Sequence, residues 1–566
     1  MLGPASPHPQ CRPRPVSGSR RRMTRNRVYK SISLRVLPDV QISIPTNLST
    51  RPFVSDVYGY SIEPIWVDAY LSTPLAANLL NIIANVTGKH PPLRIGGNSA
   101  DATYQHAILS TGNDSVALPS LPDAVQLNIT PTWYRTWSDY FPQGSDLIFT
   151  LNFAVNDSAW VNGLAQAEAA HEALGSKLKA FELGNEIDHW INKGWRDETW
   201  RVDTYLSQWR NLTGQIVNSP WYKNATNPPT IQSGVFADPP WVPDQQDEMD
   251  DFDIVNLTAQ EFQSDRDLIS SYAIHLYPQS TCDTERWYRM SLDLLSNHTT
   301  LWLNVSQYIP QVAAAEAAGT PLVMGETNSV SCGGRSGISD TFGAALWGVD
   351  YVLMAASLGI QKVYFHLGAQ SEYSSFTPQG YEYKNDTLTA GIRPGWYGHY
   401  FVAKAMAAPE NETLSLAALP GANSSELSGY AVYSGAQVQK LVFLDMGVWN
   451  GTKGLSNPST LNATDGTVFS EGERPNTTLR VMTPWEKGSS VTITRLSAPG
   501  TNAKSNVTVA GLSFDGETGD KVGEETVEAV TVENGGLVDL RIVRAEACLK
   551  NPFLSTGTCL LVARTP

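Results

Sequence analysis

Eight short, apolar, β-rich runs alternate with stretches of helical pattern between residues 57 and 400, and no other feature constrains the fold of this chain as strongly. The runs cover residues 57–63, 93–97, 146–153, 178–184, 231–236, 272–278, 321–326 and 362–368, with helical pattern at 74–87, 160–174 and 339–357 between them. Parallel strands cannot be joined by tight turns, so each pair needs a crossover, usually a helix. Eight such units in about 340 residues predict an α/β fold: a (β/α)8 barrel over residues 57–420 with enlarged loops. Chemistry in such a barrel sits at the C-terminal ends of the strands, where the βα loops converge.

Past residue 420 the pattern changes to alternating runs rich in Thr, Val and Ser, as at 441–444, 491–494 and 506–509, punctuated by Gly and Pro. Period-two alternation marks half-buried strands, so residues 421–566 are expected to form a C-terminal β-sandwich domain. Residues 31–56 precede the barrel, and 31–44 is expected to lend that sandwich a strand. Residues 1–30 hold seven Arg, one Lys and no acid, and lack the apolar stretch of a secretory signal; they read as a disordered tail or a wrongly chosen start.

The formal net charge is −15, and beyond residue 30 the balance is 32 basic against 55 acidic side chains, or −23. A body so acidic repels phosphate backbones, which argues against nucleic acid as partner and leaves a small molecule or a neutral polymer. No run of 18 apolar residues is present, so no membrane span is expected. The chain carries seventeen Asn-x-Ser/Thr sequons, against roughly five or six by chance, and reads as a secreted glycoprotein.

Five cysteines, Cys11, Cys282, Cys332, Cys548 and Cys559, show neither Cys-x-x-Cys nor zinc spacing, so no metal and no cofactor is expected. Cys548 and Cys559 would close a short loop near the end of the chain; disulfides and free buried thiols are both compatible with the spacing. If the sixth and seventh strands are neighbours, Cys282 and Cys332 lie on adjacent rim loops and should be bridged.

Two strand ends carry carboxylates where a barrel would expose them. The fourth run ends Phe181-Glu182-Leu183-Gly184-Asn185-Glu186, and the seventh ends Met324-Gly325-Glu326-Thr327-Asn328. Two carboxylates facing each other across a sugar ring can serve as general acid/base and nucleophile in glycoside hydrolysis. Asn185 could hydrogen-bond the sugar 2-hydroxyl, and Tyr277, after the sixth run, could orient the nucleophile. Arg94 could pair with Glu326 or neutralise Asp101. His275 reads as a packed strand-end residue, and His366 is ambiguous.

With these residues in place the chain resembles glycoside hydrolase family 79, which contains fungal β-glucuronidases and the heparanases. The resemblance rests on Tyr60-Ser61-Ile62-Glu63, on Leu93-Arg94-Ile95-Gly96-Gly97-Asn98-Ser99-Ala100-Asp101, on Phe181 to Glu186, and on Gly325 through Trp347. It implies a barrel joined to a C-terminal β domain and a retaining mechanism with Glu186 as acid/base and Glu326 as nucleophile. It further implies Glu63 and Asn98 as sugar hydroxyl contacts, Tyr277 as a site residue, and the Gly333 and Gly334 amides as donors to the substrate carboxylate. Some relatives carry a Tyr just before these glycines, where this chain has Ser331-Cys332. Tyr373, beyond the eighth run, is the candidate to replace it.

The expected activity is that of an exo-β-glucuronidase releasing terminal glucuronic acid from a glycan or glycoside. A β-glycosidase of other specificity or a heparanase-like endo-hydrolase keeps the same carboxylate pair, although basic clefts for sulfated chains fit this acidic body poorly. A carbohydrate-binding protein without catalysis would have no need of both Glu186 and Glu326.

Overall fold

The computed structural model describes residues 40–552 apart from residues 46, 119–125, 156–159, 238–250, 369, 410–411, 452–455 and 465–466. Eight parallel strands close into a barrel: β1 (Tyr58–Ile62), β2 (Leu93–Ile95), β3 (Leu147–Leu151), β4 (Leu178–Leu183), β5 (Thr230–Phe236), β6 (Ile269–Leu276), β7 (Leu322–Thr327) and β8 (Val363–Leu367). They follow one another around the barrel in chain order, and β8 closes on β1 with Val363 beside Tyr58 and Leu367 beside Ile62. Each corresponds to one of the eight runs read in the sequence.

The helices include α1 (Pro74–Thr87), α2 (Val161–Leu174), α3 (Val202–Asn218), α4 (Phe342–Leu358) and α5 (Pro394–Met406). Helix α1 starts where its sequence says it should: the Thr73 hydroxyl accepts the Ala76 amide, and Pro74 occupies a position whose N–H would be unpaired anyway. Its buried Leu75, Leu79, Leu80 and Ile83 face the barrel at helical spacing.

The barrel's inner face changes character along the strands. At one level it is filled by Ile148, Ala180, Val235, Ala273, Val323 and Tyr364, an apolar cluster separate from the main core. Nearer the C-terminal ends, Ser61, Arg94, Thr150, Glu182, Gln232, His275 and His366 are all buried and polar. With side chains of a strand alternating in direction, a two-residue step from Ala180 to Glu182 or from Tyr364 to His366 moves from the apolar plug to the polar floor of the site.

The C-terminal part is a β-sandwich. One sheet is built mainly from β9 (Leu414–Asn423), β10 (Leu427–Ser434), β11 (Gln437–Asp445), β13 (Ser490–Ser497) and β15 (Glu546–Pro552). The other joins β12 (Asn476–Met482) and β14 (Leu537–Val543) to Val40–Ser43, which runs parallel to β12. Ile42, Leu419, Phe443, Leu479, Ile493 and Leu540 from both sheets share one core. Of the run at 506–509 only Thr508–Val509 is strand. The larger sheet's other face packs on the barrel's helices, with the Tyr430 hydroxyl donating to Asp350 Oδ1 of α4 at 2.6 Å, and Phe514, from a separate strand pair, lies against Trp396, Tyr397 and Tyr400 of α5.

Cys282 and Cys332 are bonded to each other, joining the loops after β6 and β7. Of the two alternatives left open for Cys548, the structure has the free, buried thiol: it lies in β15, 3.2 Å from an Arg495 nitrogen, and burial pushes its pKa up so that it stays protonated. Cys11, Cys559, the tail of residues 1–30 and the sequons at Asn156 and Asn411 lie outside the described residues. No described helix is long and apolar enough to cross a membrane.

Candidate active site

Arg94, on β2, is fully buried and divides its guanidinium among four residues at the ends of three strands, β1, β4 and β7. Its Nε donates to Glu182 Oε2 at 2.7 Å, Nη1 to Glu326 Oε2 at 2.7 Å and to Ser61 Oγ at 3.0 Å, and Nη2 to Asn185 Oδ1 at 2.8 Å. Burial disfavours its charge, but the two carboxylates outweigh burial and hold it cationic. The open choice for Arg94 is thereby decided for Glu326. Asp101 instead accepts the backbone amides of Asn185, Phe153 and Ala154, and burial raises its pKa to about 6.

Glu182 is the residue the sequence reading passed over. Thr150 Oγ1 and Gln232 Nε2 each donate to it at 2.5 Å, completing the shell that Arg94 begins. A buried carboxylate with three donors is a fixture of the floor, and it fixes Arg94 beneath Glu326.

Glu326 ends β7 with its Oε1 accepting the Tyr277 hydroxyl at 2.8 Å and its Oε2 between Arg94 and His366, whose Nδ1 is 3.5 Å away. Burial opposes its charge, while His366, His275 and Arg94 together hold its pKa below the usual carboxylate value. Glu186 follows β4 in a left-handed backbone conformation (φ 49°, ψ 56°), which costs a side-chain-bearing residue about 1–3 kcal/mol. His275 Nδ1 lies 3.2 Å from its Oε1 and His189 Nδ1 3.6 Å from its Oε2. Burial works against its charge, but hydrogen bonds from His189 and His275 hold it well below the ordinary range.

A carboxylate oxygen of Glu186, one of Glu326 and a ring nitrogen of His275 all lie within 4.8 Å of one another. Three such atoms have the spacing of a cation site, but the fixed guanidinium beside Glu326 disfavours a second positive charge there. His275 therefore does not serve only as packing: β6 shifts register against β7 between Ile274 and His275, and the imidazole faces the site.

Glu63 accepts the amides of Asn98 at 3.0 Å and Ser99 at 2.7 Å and the Ser99 hydroxyl, and burial raises its pKa. Asn98 Oδ1 accepts Lys193 Nζ at 2.6 Å and Asn185 Nδ2 at 3.4 Å. The Tyr373 ring is centred 6.3 Å from that of Tyr277 and 6.1 Å from that of His366, and burial keeps its hydroxyl protonated. Gly333 and Gly334 have φ of 93° and 88°, and a Cβ at Gly334 would stand 2.7 Å from the Tyr373 amide nitrogen. Their amides donate to no acceptor among the described residues, while the Gly333 carbonyl accepts the Glu372 amide at 2.7 Å. All nine candidate residues thus gather at the C-terminal mouth of the barrel. Lys193 joins them unforeseen, from a loop whose sequence carries no motif.

Known proteins similar to this chain include glycoside hydrolases. Residues 429–549 match the glycosyl hydrolase family 79 C-terminal beta domain. A β-glucuronidase of Neurospora crassa is 28% identical over 515 residues, covering 85% of this chain and 88% of its own, and one of Aspergillus niger is 25% identical over 536 residues, covering 90% and 93%. The crystal structure of a 4-O-α-L-rhamnosyl-β-D-glucuronidase from Fusarium oxysporum superposes with a TM-score of 0.72 over 90% of this chain and all of its own, at 24% identity.

Proposed function

We propose that this chain, a glycoside hydrolase, is a retaining exo-β-glucuronidase with Glu326 as nucleophile and Glu186 as acid/base. One observation carries the stereochemistry: oxygens of the two carboxylates lie within 4.8 Å of each other. Retaining enzymes hold the pair about 5–5.5 Å apart, whereas inverting ones leave about 6.5–9.5 Å for a water between them.

Glu326, kept ionised by His366, His275 and Arg94 and aimed by Tyr277, attacks the anomeric carbon as the glycosidic bond breaks. Glu186 protonates the leaving oxygen, then takes the proton of the water that hydrolyses the glycosyl ester. The first step needs a proton on Glu186, which His189 and His275 hold ionised in the open cleft. A bound uronate adds a negative charge and displaces water, and both favour the protonated form. Once Glu326 is esterified its charge is gone, and Glu186 returns to the ionised state that general base catalysis requires.

The sugar carboxylate is assigned to the amides of Gly333 and Gly334 and to the Tyr373 hydroxyl. Burying a full charge is unfavourable without several donors, and these three supply them without a competing side-chain charge. A neutral hydroxymethyl group would leave those donors underused. The sequons, many of them exposed as at Asn85, Asn113, Asn211 and Asn385, together with the Cys282–Cys332 bond, support an extracellular site of action. The decisive experiment is a panel of aryl β-glucuronide, glucoside, galactoside and xyloside. The glucuronide should be turned over more efficiently by orders of magnitude, and equal efficiency on glucoside and glucuronide would overturn the sugar assignment.

A further inference from the structure

Lys504 belongs to the segment that follows β13 in the sandwich, yet its side chain is 1% exposed and ends in the barrel loop after β7. Its Nζ lies 2.8 Å from Asp340 Oδ2, which is 0% exposed, and donates to Ser336 Oγ at 2.7 Å and to the carbonyls of Leu461 at 2.8 Å and Ala463 at 2.7 Å. Asp340 in turn accepts the Gly337 amide at 2.7 Å and the Ser336 hydroxyl at 3.0 Å. The first amides of α4, which have no partner within the helix, donate to the same sandwich segment: Phe342 to the Ala503 carbonyl and Gly343 to the Thr501 carbonyl, both at 2.8 Å. The loop that begins at Gly333 is therefore held at its far end by the sandwich.

The loop after β8 is held in the same way. Arg393, buried just before α5, donates through Nε and Nη2 to the carbonyl of Ser459, at 3.1 and 2.6 Å, and through Nη1 to the carbonyl of Ser371, two residues from Tyr373. Asn457 Nδ2 ties the two clamps together, donating to the Ile392 carbonyl at 3.2 Å and to the Lys504 carbonyl at 2.9 Å. The two loops meet where the Glu372 amide donates to the Gly333 carbonyl.

We propose that the sandwich domain sets the sugar preference of the barrel, with Lys504 and Arg393 as positioning residues that hold the Gly333-Gly334 loop and the Tyr373 loop in register for a sugar carboxylate. The proposal rests on the glucuronide reading above. Neither residue touches the sugar. The three donors assigned to the carboxylate come from two loops, and their convergence depends on the clamp, since misplacement of about 1 Å can cost about a hundredfold.

The test is the double variant Lys504→Met/Asp340→Asn, which removes both buried charges at once so that neither is left unpaired. Kinetics on aryl β-glucuronide and aryl β-glucoside are measured with active sites titrated by covalent trapping on Glu326. We expect KM for the glucuronide to rise about tenfold or more with kcat little changed, and glucoside efficiency to stay within about twofold. A merely structural role would lower the titratable fraction and both substrates alike, leaving KM for the glucuronide unchanged; that result overturns the proposal. A wild type with equal efficiency on the two sugars overturns the glucuronide reading instead. If the double variant does not fold, Ser336→Ala removes one hydroxyl from the same clamp and should raise glucuronide KM about threefold or more, an unchanged KM again overturning the proposal.

Discussion

At the scale of residues, the site is a layered set of charges in which each group is held by the one beneath it. Glu182 fixes Arg94, Arg94 joins His366 and His275 in holding Glu326 ionised, and Tyr277 aims it. Glu326→Gln should reduce kcat by several orders of magnitude, because a neutral amide cannot form the glycosyl ester while its shape is retained. Near-normal turnover by the folded variant would refute the nucleophile assignment. Glu186→Ala should slow substrates with poor leaving groups by about 10²–10⁴-fold and spare activated aryl glycosides in the first step. Equal losses across a series of leaving-group pKa values would remove Glu186 from the acid role. The sign of the pH dependence follows from the same charges. Glu326 must be ionised to attack, and His366 helps to hold its pKa below the ordinary carboxylate value. His366→Asn removes that help, so the acid limb of the pH profile of kcat/KM should move to higher pH. A limb that stays in place or moves to lower pH would show that His366 does not set the charge of Glu326.

At the scale of elements, what the sequence could and could not show follows from the reach of each contact. The eight strands were legible because apolar β-rich runs and the helices between them are local patterns. Glu186 and Glu326 were legible because each closes such a run. Glu182 was overlooked because its partner Arg94 is 88 residues away on another strand, and nothing in the string Phe181-Glu182-Leu183 shows that the carboxylate points inward at the level of the site. His275 reads as packing because a histidine at a strand end carries no local sign of facing the cleft; the register shift between Ile274 and His275 that accompanies its turn into the cleft leaves no mark in composition. The Cys282–Cys332 bridge was legible once strand adjacency was assumed, whereas spacing alone left Cys548 open between a bridge and the free thiol it is. That bridge closes a sequence separation of 50 residues and clasps the two-residue pairing of Gln279–Ser280 with Val330–Ser331. Replacing both cysteines by Ser should cost about 2–4 kcal/mol of stability by denaturant titration. An unchanged midpoint would mean that the paired loops and the Ser331–Ser280 hydrogen bond at 2.7 Å suffice without it.

At the scale of the whole molecule, charge works against the proposed substrate. Residues 31–566 carry −23, and the full chain −15, while a glucuronide is itself an anion. A sphere enclosing a chain of this length has a radius of about 30 Å. Spread over that sphere, these charges give a unit anion at the surface a repulsion of roughly 1–1.6 kcal/mol at 10 mM salt, where the Debye length is about 30 Å. At 150 mM, with a Debye length of about 8 Å, the same repulsion falls to roughly 0.4–0.7 kcal/mol. The difference corresponds to roughly a three- to fivefold gain in kcat/KM for an aryl β-glucuronide as salt is raised, carried mainly by KM. A neutral aryl glycoside turned over by the same protein feels no such field and should respond little. A fall in glucuronide kcat/KM with added salt would show that the local field at the cleft mouth, where Lys193 stands beside Asn98, outweighs the field of the molecule as a whole. An equal rise for both substrates would assign the effect to the protein's own conformation rather than to repulsion of the sugar acid.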